Sequence, residues 1–137
     1  MAVSIPIQAV VPRFITAIAD GQAIPVYGDG EQRRDFTYVA NVVDANLRAA
    51  AADGVSGKVF NVATGRATTV NELAEKIGDV LGHAVQREEF PERTGDIRDS
   101  WADVSRARDL LGWEPRVGLE EGLRLAAEYF LQRTALA

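Results

Sequence analysis

The chain has 137 residues, 47% hydrophobic and 26% charged, which suits one soluble globular domain burying roughly two thirds of its unfolded surface. A net charge of −5 argues against nucleic acid or an anionic membrane as a partner. Without cysteine there are no disulfides, thiolate metal sites or cysteine nucleophile, and one histidine, His83, builds no histidine cluster, so no metal is expected.

Val10, Val11, Phe14, Ile15 and Ile18 have the spacing of an amphipathic helix over Val10 to Ala19, with Pro12 tolerated in its first turn and Gly21 ending it. Ile24 to Tyr27 reads as a short strand closed by the turn signal Gly28-Asp29-Gly30. Aromatic and β-branched residues predict a second strand over Asp35 to Val39. Asn41 is expected to cap a helix from Val42 to Ala52, closed by Gly54. Lys58 to Ala63, through Val59-Phe60-Asn61-Val62, predicts another strand. Thr69 and Glu72 form a capping box for a helix striped by Val70, Leu73, Ala74, Ile77 and Leu81, ending at Gly82.

Ala84 to Phe90 reads as a strand and Pro91 to Asp103 as an irregular polar loop. A short helix over Ser105 to Leu111 stops at Gly112, and a last helix is striped by Leu119, Leu123, Ala126, Ala127 and Phe130. Trp101 and Trp113 are expected to pack internally and His83 to be exposed. Nothing in the chain reads as a repeat or linker, so residues 1–137 form a single α/β unit. No run approaches the about eighteen apolar residues of a membrane span. Met1 to Pro6 lack the basic residue of a secretory signal, so the expected compartment is the cytoplasm.

Of the fifteen cations only Lys58 and Lys76 are lysines, leaving thirteen arginines. Biased base composition explains the total. Position is more informative: Arg33 and Arg34 follow the glycine turn, and Arg93 and Arg98 share the polar loop. A planar guanidinium suits phosphate oxygens better than an ammonium does. Such a pair in an acidic chain points to a small anionic ligand, with a solvated hairpin charge pair as the plainer alternative.

The catalytic motifs are missing. Gly28-Asp29-Gly30 lacks the third glycine of a dinucleotide fingerprint, with Arg33 in its place and an extended segment following. Four residues beyond Tyr27, Tyr38 and Tyr129 stand Glu31, Val42 and Arg133, so there is no Tyr-x-x-x-Lys pair. There is no G-x-S-x-G and no P-loop, and no catalytic residue is assigned.

Several stretches stand in a specific order: Val11-Pro12-Arg13-Phe14, Tyr27-Gly28-Asp29-Gly30, Arg34-Asp35-Phe36-Thr37-Tyr38-Val39, Phe60-Asn61-Val62-Ala63-Thr64-Gly65 and Thr69-Val70-Asn71-Glu72-Leu73. Gly95-Asp96-Ile97-Arg98, Trp101-Ala102-Asp103 and Leu110-Leu111-Gly112-Trp113-Glu114-Pro115 complete the series. From about Val10 to Phe130 the chain resembles the C-terminal portion of the extended short-chain dehydrogenase/reductase family. Its NAD-dependent nucleotide-sugar epimerases and dehydratases are the nearest members, UDP-glucose 4-epimerase-like ones above all. The fold class so implied is a small α/β substrate-binding lobe lacking the N-terminal Rossmann half that binds NAD and carries the catalytic Tyr and Lys.

The resemblance implies that Arg34 and Arg93 contact the diphosphate of a nucleotide-diphosphate sugar and that Asp96 partners the ribose. Pro25, Val26 and Tyr27 would run past the base through backbone groups. Asp35 and Phe36 belong to the same substrate-binding motif, Phe36 being read as core, and Tyr27 stays open between base stacking and packing. In the complete enzyme NAD would oxidise and re-reduce the sugar at C4; no cofactor is expected on this chain alone, which should not turn over.

Two departures stand out: Ala40-Asn41 replaces a common Asp-Asp, and Arg33 replaces a small or polar residue. The strand at Val59 to Val62 would belong to the sheet of the absent half, leaving an exposed edge and apolar faces. A homo-oligomer or an N-terminal Rossmann partner chain is therefore expected. The rival readings are a stand-alone nucleotide-sugar binding module and a non-catalytic remnant.

Overall fold

The computed structural model describes residues 9–136, and the amino-terminal stretch read above for a signal lies outside them. In chain order the elements are α1 (Val10–Ala19), β1 (Ile24–Tyr27), β2 (Arg33–Arg34), α2 (Val39–Ala51), β3 (Thr68–Thr69), α3 (Val70–Leu81), β4 (Arg87–Phe90), β5 (Asp99–Ser100), α4 (Ser105–Leu111) and α5 (Leu119–Ala135).

The apolar stripes meet in one core between α1, β1, α3 and α5, where Ile15, Ile18, Ile24, Leu73 and Ile77 are fully buried and Leu123 and Ala127 close the far side. Each side chain of this size stabilises the fold by about 1.5–3 kcal/mol on burial. α3 is fixed at both ends. Thr69 Oγ1 accepts from the Glu72 N–H at 3.0 Å while Glu72 Oε2 accepts from the Thr69 N–H at 2.9 Å, and Gly82 leaves the helix at φ 69°. A second, smaller cluster gathers Ala45, Ala107, Leu111 and the fully buried Trp113, with Phe60 and Val62 against it.

β1 and β4 pair in parallel, Ile24 opposite Arg87 and Tyr27 opposite Phe90. In a separate three-stranded ribbon, β2 lies between antiparallel β3 and parallel β5. Both ladders are short and sit at one end of the core, beside the start of α1.

The strand expected over Asp35 to Val39 is instead β2, two residues long and earlier in the chain. Beyond Arg34 the Asp35 carboxylate accepts the N–H groups of Thr64 and Gly65, each at 2.8 Å, which bends the segment out of the ladder. α2 opens at Val39 from an extended Tyr38, so Asn41 lies inside the first turn and is not the cap. Its buried amide serves the chain entering α5: Nδ2 donates to the Val117 carbonyl at 2.8 Å, and Oδ1 accepts from the Arg116 and Val117 N–H groups at 3.0 Å. The backbone carbonyl of Asn41 accepts from Trp113 Nε1 at 3.1 Å.

Lys58 to Ala63 form no strand, because among the described residues no ladder partner lies beside them; Val59 is 76% exposed. The strand read over Ala84 to Phe90 is limited to the four residues that face β1. Within the expected loop from Pro91 to Asp103, Asp99–Ser100 pairs with β2 as β5, a strand dictated by its neighbour. Trp101 is 49% exposed beneath the Arg33 guanidinium, whose carbon stands 4.8 Å from the ring centroid, so it is no core residue. Val39, Val43 and Leu47, one turn apart along α2, form an exposed apolar stripe. Among the described residues no helix is long and apolar enough to cross a membrane.

Candidate functional site

At the ribbon end of the core, β1, β2, the first turns of α1 and the segment after β4 surround a cavity of about 150 Å³ whose polar wall is Arg13, Gln32, Arg34, Arg93 and Asp96. Pro25, Tyr27 and Phe36 supply apolar and aromatic wall. A neighbouring cavity of about 200 Å³ shares Tyr27, Gln32 and Asp96 with it and extends toward Asp29 and Arg98.

Three arginine–aspartate pairs fasten the segment carrying Asp96, Arg98 and Asp99 to β2 and to the turn that precedes it. Arg33 holds Asp99 through Nε and Nη2 at 2.8 and 3.1 Å, and Arg98 holds Asp29 through both terminal nitrogens at 2.9 and 3.0 Å. Arg34 Nη2 reaches Asp96 Oδ1 at 2.7 Å. The last pair is the least solvated, with side chains 28% and 30% exposed against 57% and 54% for Arg98 and Asp29. Exposed pairs of this kind are worth at most about 1 kcal/mol each, so their role is to set geometry. Arg33 and Arg34, read together as one pair, in fact diverge. Arg33 turns to Asp99 and Trp101, and Arg34 to the cavity.

Tyr27 stacks on Phe90 with centroids 5.4 Å apart, and the Arg93 guanidinium carbon lies 3.7 Å from the Tyr27 centroid. Arg93, and after it Arg13, hold the Tyr27 hydroxyl below its usual pKa of 10.0 against the opposing push of partial desolvation. The N–H groups of Ile24 and Gly28 donate across to β4, so by strand alternation the Pro25 and Tyr27 peptides turn to the other edge of β1. There Gln32 Nε2 donates to the Tyr27 carbonyl at 3.1 Å.

Of the residues singled out from sequence, Pro25, Tyr27, Arg34, Phe36, Arg93 and Asp96 therefore line one cavity. Val26 does not, because its side chain is buried in the core. Nor does Asp35, whose carboxylate holds the Thr64–Gly65 turn. Arg13 and Gln32 are cavity residues that sequence reading passed over; the signal for Arg13 was a single cation inside the apolar stripe of α1.

Other concavities suit an anion less well. The polar groove between α3 and α5 is larger, about 970 Å³, but its Lys76 is paired with Glu120 and its Arg124 with Glu121 and Glu128, which leaves the exposed Arg66 as its one cation outside an ion pair among the described residues. The groove between α1 and α5, about 410 Å³, is lined mainly by Val11, Leu119, Leu123 and Phe130 and their apolar neighbours. Among the described residues no three acids or histidines cluster as metal ligands.

NAD does not fit the glycines present. Gly28 and Gly30 turn the chain from β1 into β2, and no helix begins there to face a pyrophosphate. The space at Gly30 belongs to Asn71, whose Oδ1 an added Cβ would strike and whose Nδ2 donates to the Asp29 carbonyl at 3.0 Å.

The fold is the α/β lobe that forms the C-terminal portion of an extended short-chain dehydrogenase/reductase. Residues 5–126 match the family model described as GDP-mannose 4,6 dehydratase, and the chain belongs to that family. It is 40% identical over 125 residues to the UDP-glucose 4-epimerase of Mycolicibacterium smegmatis, covering 91% of this chain and 40% of the relative. Among solved structures it is similar to UDP-glucose 4-epimerase from Thermotoga maritima with UDP-glucose, at 43% identity and a TM-score of 0.85 over 94% of this chain and 40% of that one. UDP-N-acetylglucosamine 4-epimerase from Methanobrevibacter ruminantium, in complex with UDP-N-acetylmuramic acid, matches at 41% identity and a TM-score of 0.86 over 93% of this chain and 41% of that one. The chain thus spans about 40% of the length of these relatives.

Proposed function

We propose that this chain is the substrate-binding part of an NAD-dependent nucleotide-sugar epimerase or dehydratase, most like UDP-glucose 4-epimerase, and that it holds the nucleotide diphosphate of the sugar. The observation that carries the reading is the convergence of Arg34, Arg93 and Asp96 beside Tyr27 on one small cavity in a chain of net charge −5. Guanidiniums there make charge-assisted bonds to phosphate oxygens, roughly twice as strong as neutral ones. Asp96 offers an acceptor to a ribose hydroxyl, and the outward edge of β1 offers backbone groups to a base. The names of the similar epimerases favour UDP over the GDP of the family description.

Cofactor binding and the Tyr and Lys of proton transfer belong on this reading to a Rossmann half, which would cover the α2 stripe and the Val59 segment. The chain alone binds and does not turn over.

Calorimetric titration with UDP, UDP-glucose, dTDP and GDP, beside Arg34→Ala and Arg93→Ala, tests the assignment. A diphosphate-dependent signal, strongest with UDP and about tenfold or more weaker in each variant, is expected. Undiminished binding in both variants overturns it.

A further inference from the structure

Among the described residues Arg13 and Arg93 differ from the other cations of the cavity by what they lack, and of these two only Arg13 is half-buried. Arg33, Arg34 and Arg98 each face an aspartate, as do Lys76 and Arg124 their glutamates in the adjoining groove. Among the described residues the Arg13 side chain makes no ion pair, and the eight residues that precede Ala9 include no Asp or Glu. Yet it is half-buried, one turn into α1, with Val10 and Phe14 of the same helix on the cavity beside it. A partly desolvated guanidinium without a carboxylate is a costly arrangement unless an anion completes it.

The charge balance points the same way. Arg13, Arg34 and Arg93 face the cavity with Asp96 as its single carboxylate, an excess of two positive charges. A diphosphate diester carries two negative charges. Arg34 is already drawn toward Asp96, so Arg34 and Arg93 alone leave such an anion undercompensated.

We propose that Arg13 is a third anion-binding residue of this cavity, closing on the diphosphate from α1 while Arg34 and Arg93 hold it from β2 and from the segment after β4. The inference rests on the nucleotide-diphosphate reading above and adds a contact from a different element. Because Arg13 and Arg93 both act on Tyr27, the anion they share lies next to that ring.

The test is calorimetric titration of the intact chain with inorganic pyrophosphate and with UDP, comparing Arg13→Ala, Arg13→Lys, Arg34→Ala and, as a distant control, Arg133→Ala. Circular dichroism checks that each variant is folded. Arg13→Ala weakens both ligands by about tenfold or more, the worth of one charge-assisted bond. Arg13→Lys falls between, because it keeps the charge and loses the fork, and Arg133→Ala binds as the parent. In the unaltered chain, phenylglyoxal labelling read by peptide mass spectrometry finds Arg13 protected by pyrophosphate; this decides the matter if Arg13→Ala does not fold. Parent-like binding by Arg13→Ala with loss in Arg34→Ala, or labelling of Arg13 indifferent to pyrophosphate, overturns the role of Arg13 and leaves the cavity standing. No binding of either ligand by the unaltered chain overturns both.

Discussion

Arg34 Nη2 and Asp96 Oδ1 stand 2.7 Å apart, so the residue read as a diphosphate contact and the residue read as a ribose partner are bonded to each other. An incoming phosphate must share Arg34 with a carboxylate already in place. Asp96→Asn keeps an oxygen acceptor but removes the competing charge. Pyrophosphate affinity is expected to rise severalfold in this variant, while UDP gains less because its ribose loses a charged acceptor. Paired calorimetric titrations measure both. Equal gains for the two ligands would separate Asp96 from the ribose.

The parts legible in the sequence are those decided by local periodicity and capping. α1, α3 and α5 follow their apolar stripes, and the Thr69–Glu72 box starts α3 where it was read. What escaped was decided by distant neighbours. β5 exists because Asp99 and Ser100 lie beside Arg33 and Arg34, and nothing within Arg98-Asp99-Ser100-Trp101 has a strand pattern. Val59 to Val62 have that pattern and no ladder to join. At the site, the motif carried Arg34, Arg93 and Asp96 to one cavity, but Asp35 was indistinguishable in sequence from its neighbour until its carboxylate was seen on Thr64 and Gly65. Arg13 lay hidden because one cation in a helical stripe reads as a boundary residue.

Asn41 carries more of the fold than its place in α2 suggests. Its side chain is 2% exposed and satisfies three backbone groups around Arg116 and Val117, while its carbonyl holds Trp113. Asn41→Ala strands those groups in a partly buried joint between α2 and the start of α5. The expected loss is about 2–3 kcal/mol, read from urea denaturation, since unsatisfied buried groups cost about 1–3 kcal/mol each. Asn41→Asp keeps the two accepting bonds and should fall between; a loss below about 0.5 kcal/mol for the alanine variant would assign the joint to packing alone.

The α2 stripe bears on assembly. Val39, Val43 and Leu47 are exposed at 64%, 50% and 66%, one above another, and Val59, next in the chain to Phe60 of the smaller cluster, is exposed as well. Contiguous apolar surface of this kind associates unless covered. The chain alone is expected to self-associate at micromolar concentrations in light scattering, and Val43→Glu with Leu47→Glu to return it to a monomer with unchanged helical circular dichroism. A parent chain that stays monomeric over that range would show that the stripe drives no association.

Acid should release the segment carrying Asp96 to Asp99 before the core unfolds. Asp29 is held below its ordinary pKa of 3.8 chiefly by the Arg98 guanidinium, with help from the Glu31 N–H, and Asp99 chiefly by Arg33. Carboxyls whose folded pKa is depressed contribute stability that is present above the unfolded value and lost as pH falls through the folded one. The segment therefore stays fastened from neutral pH down to about 4 and loosens below 3.8. Trp101 reports the event, because Arg33 lies over its ring and leaves it when Asp99 is protonated, whereas buried Trp113 answers only to global unfolding. Fluorescence should show an early acid step absent from Trp101→Phe and already complete at neutral pH in Asp99→Asn. Added salt, by screening exposed pairs, should move its midpoint up toward 3.8. Emission from Trp101 that stays flat until circular dichroism is lost would mean the segment is held by β2–β5 pairing and not by its aspartates.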